Sequence, residues 1–326
     1  MADVLVVDNT LLREAATCMR RAWLARWHGY TSLEESMYLS SGRAVHAALA
    51  DWLVNFDVRR AMAELALSYE EFGADAARVP AGDRLAWPNV RRVMQAWFDG
   101  NPRETMAYDA VAVAVAFALP FADGIVAVGR IDADGRMRGS GAAYTVEHKT
   151  TGRVDAGWLR TFDNDSQNSM YLWAMGELAG DPVAYVGAIV NAIELSLAPS
   201  DEKRKCKVHG VAYVECGAMH PKHAVRPVSR TPEEVASWRE DAIGIAHRYW
   251  DTVERAPALA DIAKVPAEGR FNGSCAYCTL RLFCTSGANV ETIDNVLKYE
   301  PWEPFEGVRP GTWQAQAQVE NALVPF

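Results

Sequence analysis

Apolar side chains recur at helical spacing through the first hundred residues. Leu11 to Trp27 carries an apolar stripe that Asn9 or Thr10 can cap, and in Gly42 to Phe56 the residues Val45, Leu49, Trp52, Leu53 and Phe56 fall on one helical face. Helical character continues to about Phe98, broken near Val79-Pro-Ala-Gly-Asp83. From Val111 the spacing changes. Val111 to Leu119, Gly124 to Asp132 and Ala143 to Lys149 are strand-like and are separated by turn signals at Ala122-Asp-Gly124 and Asp134-Gly135, which predicts an antiparallel meander. A helix is expected from about Trp158 to Leu178, then strands near Val183 to Leu195 and Val208 to Cys216. A further helix should open at Thr231-Pro-Glu-Glu234, where a capping box coincides with proline at the first helical position. The segment from Pro301 to Phe326 reads as an extended tail that packs its aromatics on another surface.

Length and composition narrow the class. A chain of 326 residues suits one elaborated domain or two, and 50% hydrophobic with 23% charged residues is enough to bury a core. The longest nearly uncharged apolar run, Val111 to Ala122, contains Pro120 and is shorter than the ~20 residues of a membrane span, so no transmembrane helix is expected. Met1-Ala2-Asp3-Val4 followed by Asp8 has neither the basic leader nor the apolar stretch of a signal peptide, and the expected location is cytoplasmic. The net charge of −9 argues against nonspecific coating of nucleic acid and shifts attention to local patches. Lys203, Arg204, Lys205, Lys207, Lys222, Arg226 and Arg230 face only Glu215 as an acid in their stretch, which is a solvated loop or a phosphate-contacting surface.

Six cysteines in a reducing compartment are not expected to pair as disulfides. Cys275-Ala-Tyr-Cys278-Thr-Leu-Arg-Leu-Phe-Cys284 places three thiolates where they can reach one metal centre. A fourth ligand would come from Cys206, Cys216 or Cys18, the last on the first predicted helix beside Arg20 and Arg21, which favour a thiolate. Cys206, His209, Cys216, His220 and His223 form a competing set suited to zinc, although Val211-Ala-Tyr-Val-Glu between them reads as strand.

In Tyr144-Thr-Val-Glu147-His148-Lys149-Thr150, the period of two puts Glu147 and Lys149 on one face and Tyr144, Val146 and His148 on the other. A hairpin would bring Asp132, at the end of Gly129-Arg-Ile-Asp132, alongside Glu147. Two adjacent carboxylates repel unless a hard cation neutralises them, and oxygen ligands of this kind select Mg²⁺ or Mn²⁺.

Asp132 followed by Glu147-x-Lys149 resembles the PD-(D/E)XK nuclease superfamily. Three further motifs resemble its RecB-like, CRISPR-associated exonuclease branch: Gly42-Arg43-Ala-Val-His46, Gln167-Asn-Ser-Met-Tyr171, and one N-terminal cysteine, Cys18, with three C-terminal ones, Cys275, Cys278 and Cys284. His148 stands where the family has an apolar or aromatic residue, and the proline of the superfamily's name is missing.

The resemblance implies an α/β nuclease core, a mixed central sheet flanked by helices, with three regions: an N-terminal helical region at 1–110, the core at 111–264, and a cluster-binding segment and tail at 265–326. It implies that His46, Asp132, Glu147 and the backbone carbonyl of His148 hold Mg²⁺ or Mn²⁺, and that Asp132, Glu147 and Lys149 are catalytic. It implies that Arg43, Gln167 and Tyr171 contact DNA, and that Cys18, Cys275, Cys278 and Cys284 hold a [4Fe-4S] cluster. The expected activity is phosphodiester hydrolysis, exonucleolytic on single-stranded or frayed DNA ends, in recombination, repair or phage DNA processing, with protein partners of a recombination or CRISPR-like complex. The rival readings are an inactive iron-sulfur DNA-binding module and a zinc-binding interaction protein using Cys206, Cys216 and the nearby histidines.

Overall fold

The computed structural model describes residues 4–33, 37–71, 79–80, 83–195, 205, 210–211, 222–285 and 287–304. Strand β1 (Leu5–Val7) leads into helix α1 (Asn9–Thr17), which is capped by Asp8, one residue earlier than expected: its carboxylate accepts from the Leu11 N–H at 2.6 Å. The single helix predicted for Leu11 to Trp27 is broken at Cys18, whose backbone is extended, and resumes as α2 (Met19–Ala22) and a wider turn over Trp23–Trp27. The break has tertiary causes. The Met19 N–H donates to Glu268 Oε2 at 2.9 Å and the Arg20 N–H to the Pro266 carbonyl at 2.9 Å, so partners far along the chain replace intrahelical ones.

The sheet is mixed and has helices on both faces, an α/β architecture. Its centre is the predicted meander, in which β3 (Tyr108–Ala122), β4 (Ile125–Met137) and β5 (Ala143–Thr151) are antiparallel. Beyond it, β6 (Tyr185–Glu194) runs parallel to β5 and β7 (His223–Ser229) antiparallel to β6, while β1 lies parallel to β4 at Ile125 to Ala127. The turn expected at Asp134-Gly135 is absent; both residues continue β4, and the chain turns at 138–142. Gly135 serves close packing instead, since a Cβ there would stand 2.8 Å from a Val146 methyl. The predicted strand at Val208 to Cys216 lies outside the described residues apart from Gly210 and Val211. Strand β7 was not anticipated, because Arg226 and Pro227 interrupt its pattern; as an edge strand it tolerates the proline.

On one face, α3 (Met37–Asn55), α4 (Val58–Glu70) and α5 (Trp87–Gly100) bury Val45, Leu49, Trp52, Trp97 and Phe98 against Ala133, Val146 and Ile189 of the sheet. The helix predicted from Trp158 is split into α6 (Ala156–Arg160) and α7 (Ser166–Ala179), because Asp155 and Asp165 each cap a separate start. Helix α8 (Pro232–Arg255) begins with the predicted capping box: the Thr231 N–H donates to Glu234 and the Glu234 N–H to Thr231. With α1, helices α7 and α8 cover the other face, where Leu11, Met170, Trp173 and Tyr249 meet Phe117, Phe121 and Ile131.

The last segment closes on this second core. Short helices α9 (Gly269–Asn272) and α10 (Arg281–Thr285) follow one another, Phe283 and Ile293 enter the core, and β8 (Leu297–Tyr299) pairs with β2 (Tyr30–Ser32). Trp23 Nε1–H donates to the Ala256 carbonyl at 2.8 Å, another tie between the two ends of the chain. Among the described residues, no helix is long and apolar enough to cross a membrane. Residues 305–326 of the predicted tail lie outside the described residues.

Candidate active site and cysteine pocket

The β4–β5 ladder runs from Arg136 opposite Ala143 to Ala133 opposite Val146 and stops there. One step further the register would place Asp132 opposite Glu147. At that point Asp132 Oδ2 accepts from the His148 N–H at 2.7 Å, so a side chain takes the place of a ladder bond. On the other side of β4, Ala114 lies between the pairs Val113–Ala133 and Val115–Ile131, hence across from Asp132, and has a φ of 50°. A positive φ is unusual for any residue but glycine. At the same level, Ile131 joins one core and Ala133 the other. Side chains from both helical layers thus approach the sheet at the level of Asp132.

Helix α3 supplies His46, whose Nδ1 lies 3.1 Å from Asp132 Oδ1. From β5, Lys149 Nζ donates to Glu147 Oε1 at 2.5 Å, and it also donates to Gln167 Oε1 on α7 at 2.7 Å. Gln167 Nε2 donates to the Tyr171 hydroxyl at 2.8 Å, and that hydroxyl donates to the Arg130 carbonyl at 2.9 Å. The structure thus brings together His46, Asp132, Glu147, Lys149, Gln167 and Tyr171. It engages Gln167 and the buried Tyr171 internally, so they reach Lys149 and β4 where contact with DNA was expected. Arg43 is exposed on α3, three residues before His46. His148 turns its ring to the opposite face of the strand, edge-on to His46 with centroids 5.9 Å apart, and its Nδ1 lies 3.0 Å from Asn191 Nδ2. Asn191 and the Arg130 carbonyl carried no signal in the sequence, because an asparagine inside a strand and a main-chain oxygen belong to no motif.

Electrostatically, the two carboxylates part company. Burial, then the negative charge of Asp132, pushes Glu147 up to about 7, with Lys149 and His46 opposing. Burial alone would raise Asp132 as well, but the charge and hydrogen bond of His46, with help from His148, outweigh it and hold Asp132 well below the carboxylate range. Desolvation pulls His46 down, and the charge and hydrogen bond of Asp132 more than compensate, so its pKa is raised. In the absence of a cation, the contact thus favours a proton on His46 and the charge on Asp132, and Glu147 carries the strain of the second negative charge. Burial lowers His148 to about 4, which keeps its ring neutral.

A divalent cation suits this donor set. Glu147 Oε2 is buried and has no hydrogen-bond partner, although its residue is only 3% exposed. Such an orphaned carboxylate oxygen is costly unless a cation or donor reaches it. Among the described residues, no three His, Cys, Asp or Glu side chains are already closed around one point.

The four predicted cluster cysteines line one cavity of about 360 Å³. The extended backbone at Cys18 delivers its thiol there from the α1–α2 break, and Cys275, Cys278 and Cys284 come from the last segment. None of the four is in a disulfide. Gly269 permits close packing beside the cysteines, since a Cβ there would lie 2.8 Å from Ser274 Oγ and 3.2 Å from Cys275 Sγ. Burial raises the Cys278 and Cys284 thiols; Arg21 pulls Cys278 down, Arg20 pulls Cys284 down, and the neighbouring cysteines push both up. Four thiols lining one cavity that Arg21, Arg270 and Arg281 also line are suited to an anionic thiolate-bound cluster, although the thiols are not already closed around one point.

Of the competing zinc set, Cys206, His209, Cys216 and His220 lie outside the described residues, and His223 begins β7 with its ring edge-on to Trp97. From the basic stretch, Lys203, Arg204 and Lys207 also lie outside them. Arg226 pairs with Asp163 at 2.5 Å, Lys222 lies 3.9 Å from Glu194, and Arg230 donates to the Ser229 carbonyl at 3.0 Å, so these three have structural partners. No family model matches the chain, and no curated protein matches it.

Proposed function

We propose that the protein is a divalent-metal-dependent deoxyribonuclease of the PD-(D/E)XK type that hydrolyses phosphodiester bonds at DNA ends, with a structural [4Fe-4S] cluster held by Cys18, Cys275, Cys278 and Cys284. The observation that carries the reading is the meeting of His46, Asp132, Glu147 and Lys149 at the one level where the β4–β5 ladder opens. Three of these residues come from two adjacent strands, and the fourth comes from the helical layer behind them.

Asp132, Glu147 and His46 would hold Mg²⁺ or Mn²⁺, with the His148 carbonyl beside them. The bound cation would supply charge neutralisation and a water made nucleophilic at neutral pH. The protein's own part is positioning. Lys149 is held between Glu147 and Gln167, so its ammonium stands beside the carboxylates, where it can offset charge on a phosphate. The Gln167–Tyr171–Arg130 chain aims that lysine. The charge and hydrogen bond of His46 favour the ionised form of Asp132. DNA in recombination, repair or phage processing is the proposed substrate, and a recombination or CRISPR-like complex is the proposed setting for protein partners.

The test uses protein purified without oxygen and end-labelled single- and double-stranded DNA with Mg²⁺ or Mn²⁺. Cleavage that Asp132→Asn and Glu147→Gln abolish supports the proposal. Absence of cleavage under all four combinations, in protein with its full iron content, overturns it.

A further inference from the structure

The segment that brings three cysteines to the cavity also presents the two most exposed aromatic side chains among the described residues. Phe271 is 92% exposed and Tyr277 is 91% exposed. Neither ring is on a loose strand. Phe271 lies on α9 and Tyr277 on the next short turn, Ser274–Tyr277; the two turns pack together, and Gly273 joins them with a φ of 77°. Asn272 ties the first turn to the Thr17 carbonyl at 2.8 Å and accepts from the Ser274 N–H at 3.0 Å. A few residues later, Leu280 and Phe283 are buried in the core. The rings therefore project from an anchored frame, where exposing them costs hydrophobic free energy that a partner would recover.

The charge carried by this segment is of one sign, and Glu268, just before it, is engaged by the Met19 N–H. Residues 269–285 contain Arg270 and Arg281, both exposed, and no aspartate or glutamate, in a chain whose net charge is −9. Two outward aromatic faces flanked by arginines fit a strand whose bases stack and whose phosphates are anionic. We propose that Phe271 and Tyr277, with Arg270 and Arg281, form a binding platform for single-stranded nucleic acid outside the nuclease site. This rests on the nuclease reading for its substrate class. An apolar protein partner would need no such excess of arginine.

The experiment measures fluorescence anisotropy of a labelled oligodeoxythymidine of about 20 nucleotides, without divalent cation, on the full chain with its cluster intact. Phe271→Ala and Tyr277→Ala should each weaken binding roughly tenfold, and Phe271→Trp should retain it. Arg270→Gln and Arg281→Gln should each lower the slope of log affinity against log salt by about 0.7. Affinity for a blunt duplex should hardly change. Iron content checks that the Tyr277, Arg270 and Arg281 variants, whose side chains lie beside or line the cysteine cavity, keep the cluster; if they do not, Phe271→Ala decides.

Unchanged affinity in the Phe271→Ala protein overturns the platform. So does a double-alanine variant that loses self-association while it binds the oligonucleotide as before, an outcome that assigns the patch to protein contact. Because no cation is present, failure here leaves cleavage untouched, and failure of cleavage leaves this binding untouched.

Discussion

Replacing Glu147 by glutamine should stabilise the cation-free protein at alkaline pH while destroying its activity. The carboxyl is almost fully buried and its folded pKa is raised from 4.5 to about 7. A raised carboxylate pKa means that the folded state binds the proton more tightly than the unfolded chain, so stability falls as pH rises from the unfolded value through the folded one. The full loss, present above about pH 7, is on the order of 3 kcal/mol at 1.36 kcal/mol per unit. Glutamine preserves the shape and still offers an oxygen to Lys149, which keeps Gln167 as its second acceptor. Part of the gain is lost with the Lys149 charge pairing, leaving roughly 1–3 kcal/mol. The assay is urea unfolding of wild type and Glu147→Gln in chelator, with the cluster intact, at about pH 5 and about pH 8. The two proteins should differ little at the lower pH, and the variant should be more stable at the higher. Added Mg²⁺ or Mn²⁺ should stabilise the wild type at the higher pH and the variant far less. If Glu147→Gln is destabilised equally at both pH values, burial of the second charge is not what strains this site.

Asp132→Ala should abolish Mg²⁺-dependent cleavage and also reduce stability, because it strips the His148 N–H and His46 of their shared acceptor; near-normal turnover would sink the assignment. Cys18→Ala or Cys278→Ala should bleach the brown colour of the anaerobic protein. Each should also lower its stability, by up to about 5 kcal/mol if a link across 257 residues behaves as a disulfide would; a colourless wild type with stoichiometric zinc would refute the cluster. Tyr171→Phe removes the bond to the Arg130 carbonyl and the acceptor of Gln167, and should slow cleavage by the equivalent of about 1 kcal/mol while leaving cation affinity unchanged, as isothermal titration would show.

Local signals were legible and long-range ones were not. The capping box at Thr231 and the alternation around Glu147 are written within a few residues, and both stand in the structure as read. The hairpin that carries Asp132 towards Glu147 was legible, but a turn at Asp134-Gly135 would not set that register; the turn at 138–142, midway between them, does, and the ladder stops one step short of the two residues, at Ala133–Val146. The break at Cys18 was invisible because its causes, Glu268 and Pro266, lie some 250 residues away. The burial of Tyr171 was not legible, because Gln-x-x-x-Tyr shows only that two side chains share a helical face, not which layer covers them.

The chain of hydrogen bonds from Lys149 through Gln167 and Tyr171 ends on β4, the strand that carries Asp132 two residues later. It forms a closed loop of braces: strand to lysine, lysine to helix, helix back to the neighbouring strand. A brace of this kind fixes relative placement more firmly than absolute placement. If the strands breathe at this opening, the lysine and the aspartate should be carried along together, so the gap between them, which on the proposed function receives a phosphate, should vary less than the opening of the sheet itself.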